Sequence, residues 1–140
     1  VLTPEGPKVI EIATRLSGGW FCTDQIPLAT GVDLVGAALR VALGETLDVV
    51  EVTPKRQLGV AIRYLFPEPG EIRSIRGVEA VESLEHVHRV ELFLHPGDVV
   101  ETTTNHTSRA GCVITSGATR DEAVDRAESA IRAIEIVTRG

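Results

Sequence analysis

The chain has 140 residues, 43% of them hydrophobic and 24% charged, enough for one domain with its own core. A net charge of -6 at pH 7 without any basic run excludes the cationic patch of a nucleic-acid-binding domain. No apolar stretch approaches the ~20 residues needed to cross a bilayer, and no charged-then-apolar leader opens the sequence, so neither a membrane nor an export route is expected.

Aromatic residues make up only 4%, which leaves the interior to aliphatic side chains. Cys22 and Cys112 lie far apart and form no CxxC or metal-ligand spacing, so both are expected to be reduced thiols in a cytoplasmic protein. The sequence begins at Val1 and contains no methionine, which suggests a piece of a longer protein.

In chain order, Pro4-Glu5-Gly6-Pro7 reads as a turn. Val9–Arg15 reads as a strand, with Ile10, Ile12 and Leu16 on one face and Val9, Glu11, Ala13 and Arg15 on the other. Ser17-Gly18-Gly19 ends it, because two glycines are free to take positive φ. Residues 30–43 read as a helix, capped by Thr30 with Asp33 three positions on, with Val35, Ala38, Leu39, Ala42 and Leu43 as its apolar stripe. Gly44 stands at the C-cap, Leu47–Val52 is a short apolar stretch, and Thr53-Pro54-Lys55-Arg56 is the candidate subdomain boundary.

Beyond that boundary the pattern is α+β. Strands are expected over Leu58–Phe66 and Glu71–Ile75, a short helix over Val78–Leu84, and strands over His88–Leu94 and Gly111–Thr115. Turns fall at Pro67-Glu68-Pro69-Gly70 and His95-Pro96-Gly97-Asp98. A helix over Thr119–Ile134 carries a capping box, Thr119 with Glu122, and a stripe of Ala123, Val124, Ala127, Ala130, Ile131 and Ile134.

The chemistry-bearing residues lie near the start. On a strand, Glu11 and Arg15 share a face with Cα atoms roughly 13 Å apart, within reach of one ligand for two long side chains. A carboxylate suits Mg²⁺, an arginine can clamp a phosphoryl oxygen in bidentate fashion, and a glycine pair offers backbone N–H groups to a developing oxyanion. From spacing alone the commoner outcome is an exposed ion pair.

Glu11-x-x-x-Arg15 followed by Ser17-Gly18-Gly19, and then by a helix opening Thr30-Gly31-Val32-Asp33-Leu34, resembles the metal-binding strand of ATP-grasp enzymes. The run Gly111-Cys112-Val113-Ile114-Thr115-Ser116-Gly117-Ala118-Thr119-Arg120-Asp121-Glu122-Ala123 is similar to the final strand and helix start of their C-terminal subdomains, in the carbamoyl-phosphate-synthase-like and L-amino-acid-ligase-like branches. Residues 50–105 match only in pattern.

The resemblance implies an α+β fold: residues 1–52 as the end of the ATP-grasp catalytic domain and residues 53–140 as a small C-terminal subdomain. It implies a Mg²⁺ (or Mn²⁺) ligand in Glu11, a phosphoryl or acyl-phosphate clamp in Arg15, and an acceptor-side lining in Ser17, Gly18 and Gly19. The activity implied is ATP-dependent ligation of a small carboxylate to an amine through an acyl phosphate. ATP is the co-substrate and the preceding part of the same protein is the partner. The adenine-binding strands, phosphate-binding lysines and first metal carboxylate of the superfamily all precede the glutamate, so these 140 residues are expected to be inactive alone.

One position departs from the pattern. The family usually has Asn two residues after the glutamate; here it is Ala13, which cannot bind metal. That leaves three readings: one protein ligand fewer, a water in its place, or altered chemistry. Ala13 also favours the alternative of a different class, a non-catalytic α+β module for small-molecule binding or homodimerisation.

The remaining features read more plainly. His86 and His88 could bind metal from one strand face but have no second pair or cysteine cluster beside them. His95 and His106, beside turns, read as surface or hydrogen-bonding residues. Asn105-His106-Thr107 matches a glycosylation acceptor that a cytoplasmic protein does not use, and Thr102-Thr103-Thr104 reads as a loop edge. Trp20 and Phe21 either pack in the core or line the substrate pocket.

Overall fold

The computed structural model describes residues 1–102 and 109–140; Asn105, His106 and Thr107 lie outside them. In chain order the elements are β1 (Leu2–Thr3), β2 (Gly6–Pro7), α1 (Ile26–Thr30), α2 (Leu34–Ala42), β3 (Gly59–Leu65), β4 (Gly70–Arg76), α3 (Val78–Glu82), β5 (Val87–Leu92), β6 (Val99–Val100), β7 (Gly111–Gly117), α4 (Arg120–Ala133) and β8 (Glu135–Arg139). The expected α+β class is observed, as two three-stranded antiparallel sheets with helices.

The first sheet has the order β3-β7-β5, with Ile62 opposite Ile114 and Val90 opposite Val113. The second runs β6-β4-β8. Between the sheets lies a core where Leu65 and Val113 meet Val81 of α3, Ala130 of α4 and Ile134 just after it, with Ile75 and Ile136 packed against them. Nearer the start of α4, Ala123 and Ala127 pack on Ala61 of β3. Small residues at these three positions let the helix lie close on the sheet. Gly59 closes the same contact: a Cβ there would stand 2.0 Å from the Thr119 carbonyl oxygen, so only glycine fits.

β7 is the central strand and is buried on both faces. Cys112, Val113, Ile114 and Thr115 are all solvent-inaccessible. Burying Val113 and Ile114 contributes about 1.5–3 kcal/mol each before entropy is counted. The Thr115 hydroxyl, buried with them, donates to the Ala123 carbonyl at 2.7 Å, which meets its hydrogen-bonding need.

Several expectations need correction. Val9–Arg15 is not a strand: no ladder pairs it among the described residues, and Val9, Ile10 and Ile12 are each 79% exposed. Sequence propensity favours strand here, but a strand without neighbours leaves its backbone groups to water. The expected helix over 30–43 is two elements. Thr30 ends α1, its hydroxyl donating to the Ile26 carbonyl at 2.7 Å, and Gly31 turns the chain at φ 74°. Asp33 is the cap of α2, accepting from the Gly36 amide at 2.8 Å. The α2 stripe is turned outward in part, with Leu39 61% and Leu43 82% exposed.

The Thr119 capping box is half formed. Thr119 accepts from the Glu122 amide at 3.2 Å, but the Glu122 carboxylate takes the Ala118 amide at 2.7 Å. Of the turn expected at residues 4–7, only Pro4 and Glu5 form the bend of the small β1–β2 hairpin; Gly6 and Pro7 are β2, paired with Thr3 and Leu2. β8 extends beyond the expected elements; its β-branched run Ile136-Val137-Thr138 is the signal for it.

Candidate functional site

The glycine loop lies against the outer face of the β3-β7-β5 sheet. α4 packs on the inner face, where Thr115 points, so Cys112 and Ile114 point outward by alternation. They are nevertheless inaccessible because the segment after the loop covers them. Trp20 opens a single π-turn over Phe21–Gln25 that runs directly into α1.

The loop holds an unusual backbone. Gly19 and Trp20 both have φ of 65°. Glycine takes this left-handed conformation freely, whereas a side-chain-bearing residue loses roughly 1–2 kcal/mol there. Local bonds offset part of that cost. The Trp20 carbonyl accepts from the amides of Asp24 at 3.1 Å and Gln25 at 2.9 Å, and the buried Cys22 Sγ accepts from the Ser17 amide at 3.2 Å.

The second fastening crosses the molecule. The Arg89 guanidinium, from β5, lies over the Trp20 ring at 4.3 Å from its centroid. Its Nε donates to Asp24 at 2.9 Å and a terminal nitrogen donates to Glu91 at 3.2 Å. Asp24 is mostly covered, its side chain 12% exposed. Hydrogen bonding to Asp24 comes first among the causes that hold the Arg89 pKa above its usual value. Burial raises the Cys112 thiol pKa, and the nearby Glu91 charge adds to it; the Trp20 indole and the Arg89 charge pull the other way. Cys112 is therefore a packed thiol rather than a nucleophile.

A bulge in β5, where the register shifts between Val87 and Arg89, sets this arrangement. Val87, Val90 and Leu92 still face the core, so His88 and Arg89 are both left on the loop side. His88 Nε2 is 2.7 Å from the Ser116 hydroxyl. Partial burial, then the charges of Arg56 and His86, hold its pKa below the usual imidazole value. No cluster of three or more His, Cys, Asp or Glu able to hold a metal occurs among the described residues, so the His86/His88 pair stands without further ligands.

The sequence-derived site residues are therefore split. Ser17, Gly18 and Gly19 are exposed but lead into a fastened turn. Glu11 and Arg15 lie on the exposed unpaired segment, where among the described residues the Arg15 guanidinium donates only to the Leu16 carbonyl, at 3.3 Å. Arg89 and Asp24, 65 residues apart, were not legible as a pair; the one local hint was a charged residue inside the alternating apolar pattern of β5. Trp20 is neither plain core nor free lining: it is half-buried between the loop and Arg89.

Comparisons with known proteins agree with this architecture. The family model described as L-amino acid ligase C-terminal domain 2 matches residues 63–139. Among curated proteins, the Uncharacterized protein y4rH of Sinorhizobium fredii (strain NBRC 101917 / NGR234) is 27% identical over 135 residues, covering 95% of this chain and 27% of the relative. Among solved structures, phosphoribosylglycinamide synthetase from Anaerococcus prevotii matches with a TM-score of 0.82 at 17% identity, over 99% of this chain and 35% of that one. The L-amino acid ligase from Bacillus licheniformis matches with a TM-score of 0.66 at 19% identity, over 82% and 28%. The chain thus spans 27% to 35% of the length of these relatives.

Proposed function

The chain belongs to the L-amino acid ligase C-terminal domain 2 family, and from that premise we propose that it is the C-terminal part of an ATP-dependent carboxylate–amine ligase. The ATP-grasp resemblance read from the sequence stands with that family and with the two similar folds. In this reading residues 1–52 end the catalytic domain and residues 53–140 form the C-terminal subdomain. The preceding part of the same polypeptide supplies the ATP pocket, and the chain is inactive without it.

The reaction has two steps. A carboxylate oxygen takes the terminal phosphoryl group of ATP and ADP leaves. The amine then attacks the acyl carbon, inorganic phosphate departs, and the amine's proton passes to solvent or a base. Most of the catalysis is positioning and charge neutralisation.

Each named residue has a part. Arg15 holds the phosphoryl group, and Ser17, Gly18 and Gly19 line the acceptor side, the two glycines with backbone N–H groups. Glu11 fits a Mg²⁺ (or Mn²⁺) ligand by chemistry: a hard, exposed oxygen donor without a salt bridge among the described residues. Ala13 offers no donor, so further ligands come from outside this chain or from water. When bound, the metal supplies neutralisation of phosphate charge.

The observation that carries this reading is where the exposed apolar surface lies. Val9, Ile10 and Ile12 flank Glu11, and Leu39, Leu43, Val49 and Val50 are exposed on α2 and the turn after it. These exposed apolar residues suit burial against the remaining two thirds or so of a protein the length of the relatives. In that setting Val9–Arg15 gains strand neighbours and Glu11 faces the nucleotide. Cys22 and Cys112 are both free, in keeping with a reducing cytoplasmic setting.

Ala13 favours a second reading, a non-catalytic binding or dimerisation module. Phosphate release by the longer protein, screened across ATP and pairs of amino acids, separates the two. The ligase reading predicts release that Glu11→Ala and Arg15→Ala each abolish. Wild-type rates in both variants would overturn the assigned roles, and no release with any pair would favour the module.

A further inference from the structure

We propose that Arg89 is a positioning residue: from the C-terminal sheet it holds the glycine loop in its left-handed form by stacking on Trp20 and pairing with Asp24. The functional half of this inference rests on the ligase reading; the structural half does not.

Ser17, Gly18 and Gly19 are exposed, and their shape depends on what fixes the chain on either side. Upstream, residues 9–16 have no ladder partner among the described residues. Downstream, the chain leaves Gly19 through Trp20, whose positive φ is unfavourable for a residue with a side chain. Something must hold that conformation, and the contacts at Trp20 and Asp24 meet on one guanidinium.

Arg89 is suited to this by its geometry. A planar guanidinium can stack on an aromatic face while its edge bonds carboxylates. Here the face lies 4.3 Å from the Trp20 ring centroid, Nε reaches Asp24 at 2.9 Å, and a terminal nitrogen reaches Glu91 at 3.2 Å. Glu91 stands on the same strand, so it fixes Arg89 from its own side while Trp20 and Asp24 come from the loop side. The β5 bulge is what turns Arg89 toward the loop. Lysine has the charge but neither the planar face nor the fork, so this contact requires arginine.

The consequence for function is selective. If Ser17–Gly19 lines the acceptor, loosening the loop misplaces the acceptor and leaves the ATP side, outside this chain, unaltered. The KM for the acceptor amine then rises about tenfold in Arg89→Ala with the KM for ATP unchanged.

Trp20 is the one tryptophan of the chain, so its fluorescence reports the clamp directly. In the 140-residue chain, Arg89→Ala and the isosteric Asp24→Asn are expected to red-shift Trp20 emission and raise its acrylamide quenching constant. Arg89→Lys falls in between. The melting midpoint, read in the same samples, separates a loosened loop from an unfolded chain, and Asp24→Asn keeps the test decisive if Arg89→Ala does not fold. Unchanged quenching in folded Arg89→Ala and Asp24→Asn overturns the clamp, whatever the enzyme does. Loosened Trp20 with both KM values unchanged, or both raised equally, overturns its role at the acceptor side. Absence of any phosphate release by the wild-type longer enzyme instead defeats the ligase reading, while the fluorescence still decides the clamp.

Discussion

Residues 9–15 and β7 have much in common as sequence and little in common as structure. Val9-Ile10-Glu11-Ile12-Ala13-Thr14-Arg15 and Gly111-Cys112-Val113-Ile114-Thr115-Ser116-Gly117 are both short, β-branched and expected to be strands. β7 has a hydrogen-bonded neighbour on each side and a cover on each face, α4 within and the Trp20 segment without. Residues 9–15 have neither among the described residues. β-propensity describes fitness for a pleated, half-buried surface, so it becomes structure only where such a surface exists. The residues with the most chemical potential stand on the region that lacks one.

The largest effect that would sharpen this contrast is catalytic. In the longer enzyme, Glu11→Ala is expected to reduce ATP-dependent phosphate release at least about 100-fold, while the stability of the 140-residue chain changes by less than about 0.5 kcal/mol because Glu11 is exposed. A large loss of stability would mean that Glu11 is structural.

A stability pair comes next. Ile114→Ala in β7 removes a fully buried side chain and is expected to cost about 2–5 kcal/mol by denaturant titration. Ile12→Ala removes an exposed one and is expected to cost under about 0.5 kcal/mol. Equal costs would erase the distinction between the regions.

Thr115→Val keeps the shape of β7 but removes its donor to the Ala123 carbonyl, for an expected loss of about 1 kcal/mol. No loss would show that the α4–β7 contact rests on packing alone.

The smallest effect is in pH dependence. The folded His88 pKa lies below that of a free imidazole, so the unfolded chain takes up the proton first as pH falls. The stability contribution is complete above about 6.5, declines as pH falls below it, and levels off under the folded pKa. His88→Gln is expected to flatten that part of the stability profile; an unchanged slope assigns it to other groups.

The C-terminal half was the more legible in sequence because each of its main elements carries its own apolar period, even though its partners lie far along the chain. The alternating apolar pattern found β3, β5 and β7, and the alanine stripe of α4 found the face that packs on them. The first half was less legible for two physical reasons. Thr30 looked like a cap because its hydroxyl can serve that role, yet Gly31 turned the chain and Asp33 took the amide instead. The Val9–Arg15 strand was read from propensity, which carries no information on whether neighbours are present. The site divided in the same way: Ser17, Gly18 and Gly19 were visible as a motif, but Arg89 and Asp24 meet only through the β5 bulge and the π-turn, neither of which has a sequence signature at that range.

The central proposal is that residues 9–15 are an incomplete strand of the proposed catalytic site, whose neighbours lie in the rest of a longer ligase. Hydrogen exchange at the amides of residues 9–15, compared between the 140-residue chain and the longer protein, tests it most directly. Coil-like exchange is expected in the 140-residue chain and strong protection in the longer protein, with β7 protected in both. Residues 9–15 that exchange as fast in the longer protein as in the 140-residue chain would contradict it.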